Sequence, residues 1–193
     1  IDKTKGVSSL LSAPILTCTI DHLMPATEST RGGHQIAPML RLMTSDLVLD
    51  EPDDFGVEDL PALTRLVHWA GLLGSRILLS SATLPPSIVQ GLFEAYAEGR
   101  RLYQMNRGKP GQILNICTAW FDEFGVHSDE HSDPAPFMEA HNDWVKKRVR
   151  ALGKEHEVRR LAHISPVPIS AGTDDDELNR TFASLLLDQS ISL

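Results

Sequence analysis

The chain has 193 residues and a mass of 21.3 kDa, which is the size of a single domain or slightly more. Its composition, 41% hydrophobic and 23% charged with a mean hydropathy of −0.14, excludes collagen, coiled coil and wholesale disorder, and no stretch is apolar enough for a membrane span. Eighteen basic against 26 acidic side chains give a net charge of −8, which argues against coating nucleic acid by bulk charge but permits a local basic groove.

Short apolar runs alternate with helical patterns up to about residue 120. Buried strands are predicted over residues 14–20, 46–50, 76–80 and 113–119. The spacing of apolar residues predicts helices over residues 36–43, from Leu60 to an end marked by Gly71 and Gly74, and from Pro85-Pro86 to about Arg100. Continuous apolar strands separated by helices are typical of a parallel sheet covered on both faces. We therefore predict a doubly wound, mostly parallel α/β domain.

Beyond residue 125 the pattern becomes mixed. A polar loop is predicted over residues 124–136, and a helix with Phe137 and Trp144 on its apolar face follows. Residues 158–167 are a candidate strand, and an acidic loop over 172–177, with Thr173 and Asp176 as a capping box, opens a last helix. We therefore divide the chain into an α/β domain, residues 1–125, and a mixed α/β segment, residues 126–193.

The two cysteines and the N-terminus suggest the origin of the chain. Cys18 and Cys117 lie far apart, each in an apolar run, so we expect buried reduced thiols of a cytosolic protein and not a disulfide or a zinc site. The chain begins Ile1-Asp2 with no initiator Met and no signal-peptide core, and we therefore expect a piece of a longer protein.

The most informative stretch is Asp50-Glu51-Pro52-Asp53, which ends a buried strand. Carboxylates at the carboxyl edge of a parallel sheet lie where α/β proteins bind ligands. Asp50 suits a Mg²⁺ ion held through water, and Glu51 suits a base that polarises the water attacking a γ-phosphate. A solvated acidic turn is the alternative, because seven acids and no bases lie between Asp46 and Asp59.

A second stretch, Ser81-Ala82-Thr83, ends the next strand about 30 residues later. Small hydroxyl residues at this edge can donate hydrogen bonds to neighbouring carboxylates without blocking the cleft. An isolated Ser-Ala-Thr is uninformative, but the order strand, Asp-Glu-Pro-Asp, helix, strand, Ser-Ala-Thr is much more specific.

These residues carry a resemblance to a family. Asp50-Glu51-Pro52-Asp53 resembles the Walker B box (motif II) of superfamily 2 helicases, and Ser81-Ala82-Thr83 resembles their motif III. Thr19-Ile20-Asp21 resembles an element in the first motor lobe of the CRISPR-associated helicase–nuclease that Cascade recruits. The longer stretches, residues 21–27 and 49–55, resemble the type I-F version, and the resemblance covers residues 10–120 well.

The resemblance implies a RecA-like doubly wound sheet, with residues 1–125 as a partial first motor lobe and 126–193 as a connector toward the second. It implies ATP and magnesium as cofactors, and an enzyme that translocates on and unwinds DNA and degrades it with a separate HD nuclease domain, whose metal ions lie outside this chain. The expected partners are single-stranded DNA, Cascade and other CRISPR proteins or inhibitors, with no membrane, in a prokaryotic cytoplasm. The resemblance implies that the catalytic residues are Asp50, Glu51, Asp53, Ser81 and Thr83, and that Asp50 and Glu51 also bind the cofactor. It implies that Thr19 and His22 contact DNA.

The chain departs from the family in lacking a Gly-x-x-x-x-Gly-Lys-Thr/Ser P-loop, the arginine motif of the second lobe and the HD metal ligands. We therefore expect half of an ATP site, and no ATPase from the 193 residues alone. Two other readings stay open: a helicase-like lobe that docks a protein partner without nucleotide, and a metal hydrolase. The hydrolase would need ligands in the polar loop, among His127, Asp129, Glu130, His131 and Asp133.

A basic cluster is the last feature of note. It holds seven of the 18 basic residues, and either an ordinary solvated helix flank or a set of phosphate contacts would explain it. Its members are Lys146, Lys147, Arg148, Arg150, Lys154, Arg159 and Arg160.

Overall fold

The computed structural model describes residues 11–28, 33–154, 166–168 and 174–191. The chain forms two compact units, Ile1–Lys154 and Glu155–Leu193. Leu11 and Ser12 are helical, and two 3-10 turns, Ile20–His22 and Met24–Ala26, follow them. The helices are α1 (Ile36–Thr44), α2 (Leu60–Leu73), α3 (Pro86–Arg107), α4 (Pro134–Leu152) and α5 (Asp175–Ile191). The strands are β1 (Leu47–Asp50), β2 (Ile77–Ser80), β3 (Ile116–Asp122) and β4 (Gly125–His131). None of these described helices has the length and apolarity needed to cross a membrane.

The predicted α/β class is confirmed by the pairing of β1 with β2. The two strands are parallel, with Leu47 opposite Ile77 and Asp50 opposite Ser80, and α2 connects them. Leu47 and Leu49 are buried beneath the helices, because alternate residues of a strand point to opposite faces. Val48, on the other face, is 59% exposed.

Helices α2 and α3 pack at very close range through two glycines. A Cβ on Gly71 would lie 2.5 Å from the carbonyl oxygen of Tyr96, and a Cβ on Gly99 would lie 2.1 Å from that of His68. Gly71 was predicted to end α2, but it lies inside the helix at this close approach. The helix instead ends at Gly74, whose φ of +93° suits the left-handed position of a Schellman motif, with the Ser75 N–H donating to Ala70.

Helix α3 contributes to two hydrophobic clusters, and it extends beyond the end predicted near Arg100. Leu92 joins a first cluster with α1, α2 and β1. Phe93 belongs to a second cluster, where it stacks on Phe137 of α4 at 3.9 Å between ring centroids. Trp120 of β3 is buried in the same cluster. A helix with apolar residues on two sides can therefore contribute to two cores.

Three predictions about strands need correction. Residues 14–20 form no strand, and Ile15 in that run is 86% exposed. The predicted fourth parallel strand is β3, which pairs antiparallel with β4 in a separate two-stranded sheet. The polar loop predicted over 124–136 contains β4 and the start of α4. Most of the candidate strand over 158–167 lies outside the described residues.

The predicted burial of the two cysteines is also wrong. Cys18 precedes the first 3-10 turn and is exposed, because no strand forms there to bury it. Cys117 lies on the outward face of β3. Its inward neighbours, Ile116 and Trp120, take the buried positions.

The second unit contains α5. Its first turn holds Asp175, Asp176 and Glu177, which complement the positive end of the helix dipole. The N–H of Glu177 donates to the carboxylate of Asp174 at 2.8 Å, so Asp174 caps the helix. Thr173, the predicted capping residue, lies outside the described residues.

Candidate functional site

The ends of β1 and β2 bring the two predicted boxes together. Asp50 is paired in register with Ser80, and the N–H of Glu51 donates to the carbonyl oxygen of Ser80 at 2.7 Å. The two chains then leave the same edge of the sheet as neighbouring loops. The sequence-based expectation that Ser81 and Thr83 lie beside the acidic box is therefore confirmed as geometry.

Asp53 is the centre of the contact between these loops. The Ser81 hydroxyl donates to one of its carboxylate oxygens at 2.6 Å, and the Thr83 hydroxyl donates to the other at 2.8 Å. The N–H of Thr83 in turn donates to the Ser81 hydroxyl oxygen at 3.1 Å. The hydrogen bond from Ser81, followed by that from Thr83, lowers the pKa of Asp53 from its ordinary value. Asp53 is thus a carboxylate engaged on both oxygens, which suits holding the loops together better than moving a proton.

Glu51 lies in an unusual backbone conformation. Its φ is +47°, in the left-handed region that non-glycine residues rarely occupy. The Asp54 N–H donates to the Glu51 carbonyl at 3.1 Å and closes the turn, while Pro52 is fully buried and Phe55 packs on the first cluster. These anchors hold a conformation that costs on the order of 1–2 kcal/mol in an unconstrained chain. The turn therefore fixes the Glu51 backbone directly after the strand.

The carboxylates of Asp50 and Glu51 differ from that of Asp53 in their surroundings. Both side chains are exposed, and neither carboxylate forms a hydrogen bond or ion pair with another residue of the described ranges. Carboxylate oxygens of this kind suit Mg²⁺, which retains several water ligands and needs only one or two protein oxygens. The two carboxylates therefore fit a hydrated magnesium ion at this edge.

Thr19 and His22 form a pair on the first 3-10 turn. The Thr19 hydroxyl and His22 Nδ1 are 3.1 Å apart, and both residues are exposed. The sequence placed Thr19 at the end of a strand, but no strand forms there, and Thr19 is the N-cap of the 3-10 turn. Ile20 and Leu23 pack against the first cluster and anchor this turn. The assignment of Thr19 and His22 to nucleic-acid binding stays a prediction.

The histidine-rich stretch is a strand that packs its rings on tryptophans. His127 stacks between Trp120 and Trp144, with centroid distances of 5.6 and 6.1 Å. His131 is buried, and within the described ranges no group of three or more His, Cys, Asp or Glu side chains is arranged to hold a metal ion. The aromatic packing of β4 therefore accounts for these histidines.

His141 on α4 completes this cluster. It is buried, and its Nδ1 accepts a hydrogen bond from Trp120 Nε1 at 3.1 Å. The accepting Nδ1 requires the tautomer with hydrogen on Nε2, which has no partner among the described residues. Burial lowers the pKa of His141, which keeps the ring neutral.

The basic cluster contains one residue that reaches the candidate site. Arg148 donates to both carboxylate oxygens of Glu123, at 3.2 and 3.3 Å, and to the carbonyl oxygen of Ala82 at 3.4 Å. Lys146 pairs with Asp143 on its own helix, and Arg159 and Arg160 lie outside the described residues. The sequence showed Arg148 only as one of seven basic residues, because its partners are 25 and 66 positions away.

Comparison with known proteins shows that the chain is similar to one segment of two longer proteins. No family model matches the chain. A CRISPR-associated nuclease/helicase Cas3 of subtype I-F/YPEST from Pseudomonas aeruginosa is 63% identical over 167 residues, which is 86% of the chain. The protein of the same description from Pectobacterium atrosepticum is 55% identical over 176 residues, or 91% of the chain. The chain spans only 15% and 16% of the lengths of these two relatives, respectively.

Proposed function

Because the chain belongs to the subtype I-F/YPEST family of CRISPR-associated Cas3 nuclease/helicases and matches one segment of them, we propose that it supplies half of an ATP-hydrolysing site. The parent protein, on this proposal, is an ATP-dependent translocase on single-stranded DNA with a nuclease activity in CRISPR interference. The observation that carries the proposal is the pair of loops that follow parallel strands β1 and β2 and join through Asp53.

The residues at this edge divide the work between ligand and scaffold. Asp50 is proposed to hold Mg²⁺, through water, and Glu51 to orient and deprotonate the water that attacks the γ-phosphate. Asp53, Ser81 and Thr83 keep the two loops at a fixed separation. The exposure of the Asp50 and Glu51 carboxylates supports their roles toward the ligand. The two hydroxyl groups that donate to Asp53 support its role in holding the loops.

Bound ATP with Mg²⁺ would supply the phosphoryl group and the charge that both carboxylates address. No residue in this sequence matches a P-loop lysine, so the parent would provide the phosphate cradle from another part of its chain. The 193-residue chain alone is accordingly expected to show no ATPase activity. Measurable magnesium-dependent ATPase from it would contradict this half-site proposal.

Thr19 and His22 are proposed to contact the DNA backbone. A translocase holds its strand without reading sequence, and short hydroxyl and imidazole side chains are suitable donors to phosphate oxygens. Their mutual hydrogen bond and exposure on an anchored turn support this role. The partners proposed for the parent are single-stranded DNA and the Cascade complex, in the prokaryotic cytoplasm.

The decisive experiment is Glu51→Gln in the parent protein. The amide retains the shape of the side chain but cannot accept a proton, so kcat should fall by about 10²–10⁴-fold while ATP still binds. Glu58→Gln is the matched control, because Glu58 is an exposed carboxylate of the same acidic stretch. Unchanged ATPase in Glu51→Gln would favour the rival reading, a lobe that docks a protein partner without using nucleotide.

A further inference from the structure

A single arginine connects the Ser81–Thr83 loop to elements more than 40 residues away. Arg148 lies on α4, a 19-residue helix. Its Nε and Nη2 atoms donate to the two oxygens of Glu123, which sits in the turn between β3 and β4. Its Nη1 atom donates to the carbonyl oxygen of Ala82, the middle residue of the loop.

The geometry of the guanidinium explains why an arginine is suited to this position. Two parallel N–H bonds to a carboxylate fix the plane of the group, and the remaining N–H groups then point in a set direction. Glu123 therefore orients Arg148 toward the Ala82 carbonyl. The side chains of Arg148 and Glu123 are 34% and 39% exposed, so water weakens this pair but does not surround it.

The loop held by Arg148 is the one that holds Asp53. Residues on either side of Ala82 donate both hydroxyl hydrogen bonds to that carboxylate. Thr83 is exposed, so water competes for its bond to Asp53, and the contact at Ala82 adds a second point of attachment for the loop. A backbone contact at Ala82 would limit how far the loop swings away from the turn that carries Glu51.

We infer that Arg148 is a positioning residue for the proposed ATP site, holding the Ser81–Thr83 loop through the Ala82 carbonyl under the orientation that Glu123 imposes. The inference rests on the proposed function for its catalytic consequence, but the structural contact can be tested without ATP. It also gives the connector a defined link to the motor lobe, since α4 and the hairpin lie beyond the Asp-Glu-Pro-Asp and Ser-Ala-Thr boxes.

The first arm of the test measures amide hydrogen exchange in the 193-residue chain. Arg148→Gln should speed exchange of the peptide covering residues 80–85 by about threefold to fivefold, the factor expected for losing a half-exposed ion pair. Lys147→Gln, which removes the same charge from the adjacent position, is the matched control and should leave that peptide unchanged. Equal exchange rates in the Arg148 variant, the Lys147 control and the unmodified 193-residue chain would overturn the contact.

The second arm measures ATPase in the parent protein. Arg148→Gln should lower kcat by about twofold to fivefold with KM for ATP unchanged, because the side chain reaches the loop backbone and not the nucleotide. Arg148→Lys should restore part of the loss, since an ammonium can reach one acceptor but not grip both oxygens of Glu123. Glu123→Gln keeps the side-chain shape and is the second variant, for use if Arg148→Gln does not fold. It should lower kcat by less than the fall expected for Arg148→Gln.

The outcomes separate the two ideas. A parent with normal ATPase in Arg148→Gln overturns the positioning role and leaves the proposed function standing. A parent whose activity survives Glu51→Gln overturns the proposed function, while the exchange arm still decides whether Arg148 holds the loop. A fall in ATPase through KM alone would mean that Arg148 contacts nucleotide, which contradicts the positioning role.

Discussion

Gly99 and Gly91 lie on the same helix, α3, but adding one methyl group to each should have opposite effects on stability. Gly91 is exposed and a Cβ there meets no atom within 4 Å. Gly99 is buried where α3 crosses α2, and a Cβ there would lie 2.1 Å from the His68 carbonyl oxygen and 2.7 Å from the Leu72 nitrogen. Both obstructing atoms are backbone, so no side chain can rotate away.

The magnitudes follow from two opposing effects. Replacing glycine by alanine inside a helix raises the free energy of unfolding by about 0.8–1.0 kcal/mol, because alanine loses less backbone entropy on folding. Gly91→Ala should show this full increase. At Gly99 ordinary carbon contact needs about 3.5 Å, so the helices must separate by more than an ångström. Separation loosens Leu63 and Leu66, which are fully buried, and overpacking of this kind costs about 3 kcal/mol. Gly99→Ala should therefore destabilise the chain by about 2 kcal/mol net.

The assay is urea unfolding of the 193-residue chain, monitored by circular dichroism. With a slope of about 2 kcal/mol per molar urea, the midpoint should fall by about 1 M for Gly99→Ala and rise by about 0.5 M for Gly91→Ala. A Gly99→Ala midpoint at or above that of the unmodified chain would refute the close crossing of α2 and α3. Loss of stability in Gly91→Ala would instead refute the open surroundings of that position.

Two further predictions concern titration and thiol access. Burial lowers the pKa of His141 in the folded state, so its contribution to stability is complete above about pH 6.5 and is lost as pH falls through the folded-state pKa. The unfolding free energy should decline by up to about 1.4 kcal/mol per pH unit in that window, and His141→Asn, which keeps an acceptor for Trp120, should flatten the decline. Cys18 and Cys117 are both exposed, so a thiol reagent should label two groups per chain without denaturant, and Cys117→Ser should leave one.

Local sequence predicted those elements whose burial is continuous or strongly periodic. β1 and β2 are short apolar runs next to helices with clear apolar faces, and both formed within a residue of the prediction. Residues 14–20 have a similar composition, but a strand also needs a partner, and the described structure pairs none with them. β4 was missed for the opposite reason. The residues opposite Trp120, Thr118 and Ile116 of β3 are His127, Asp129 and His131, so no apolar alternation marks the strand, which pairs with β3 and packs on Trp120.

The candidate site was predictable to the extent that chain order determines it. Parallel strands with boxes at their carboxyl ends must present those boxes at one edge, whatever the details of the loops. The distinct surroundings of the carboxylates needed coordinates: Asp53 is engaged on both oxygens, whereas Asp50 and Glu51 remain open to ligand. The positive φ of Glu51 likewise arises from the buried Pro52 and the turn that follows, not from a glycine signal.

This difference between neighbouring carboxylates makes chemical sense for phosphoryl transfer. A base that takes a proton and a carboxylate that holds a hydrated ion must keep their oxygens free until ligand arrives. A carboxylate that fixes two loops must have its oxygens occupied before ligand arrives, because preorganisation removes the cost of ordering the site during reaction. Asp53 meets the second condition through Ser81 and Thr83. Under the proposed function, the four consecutive residues Asp50–Asp53 would therefore supply both the reactive carboxylates and the carboxylate that holds the two loops together.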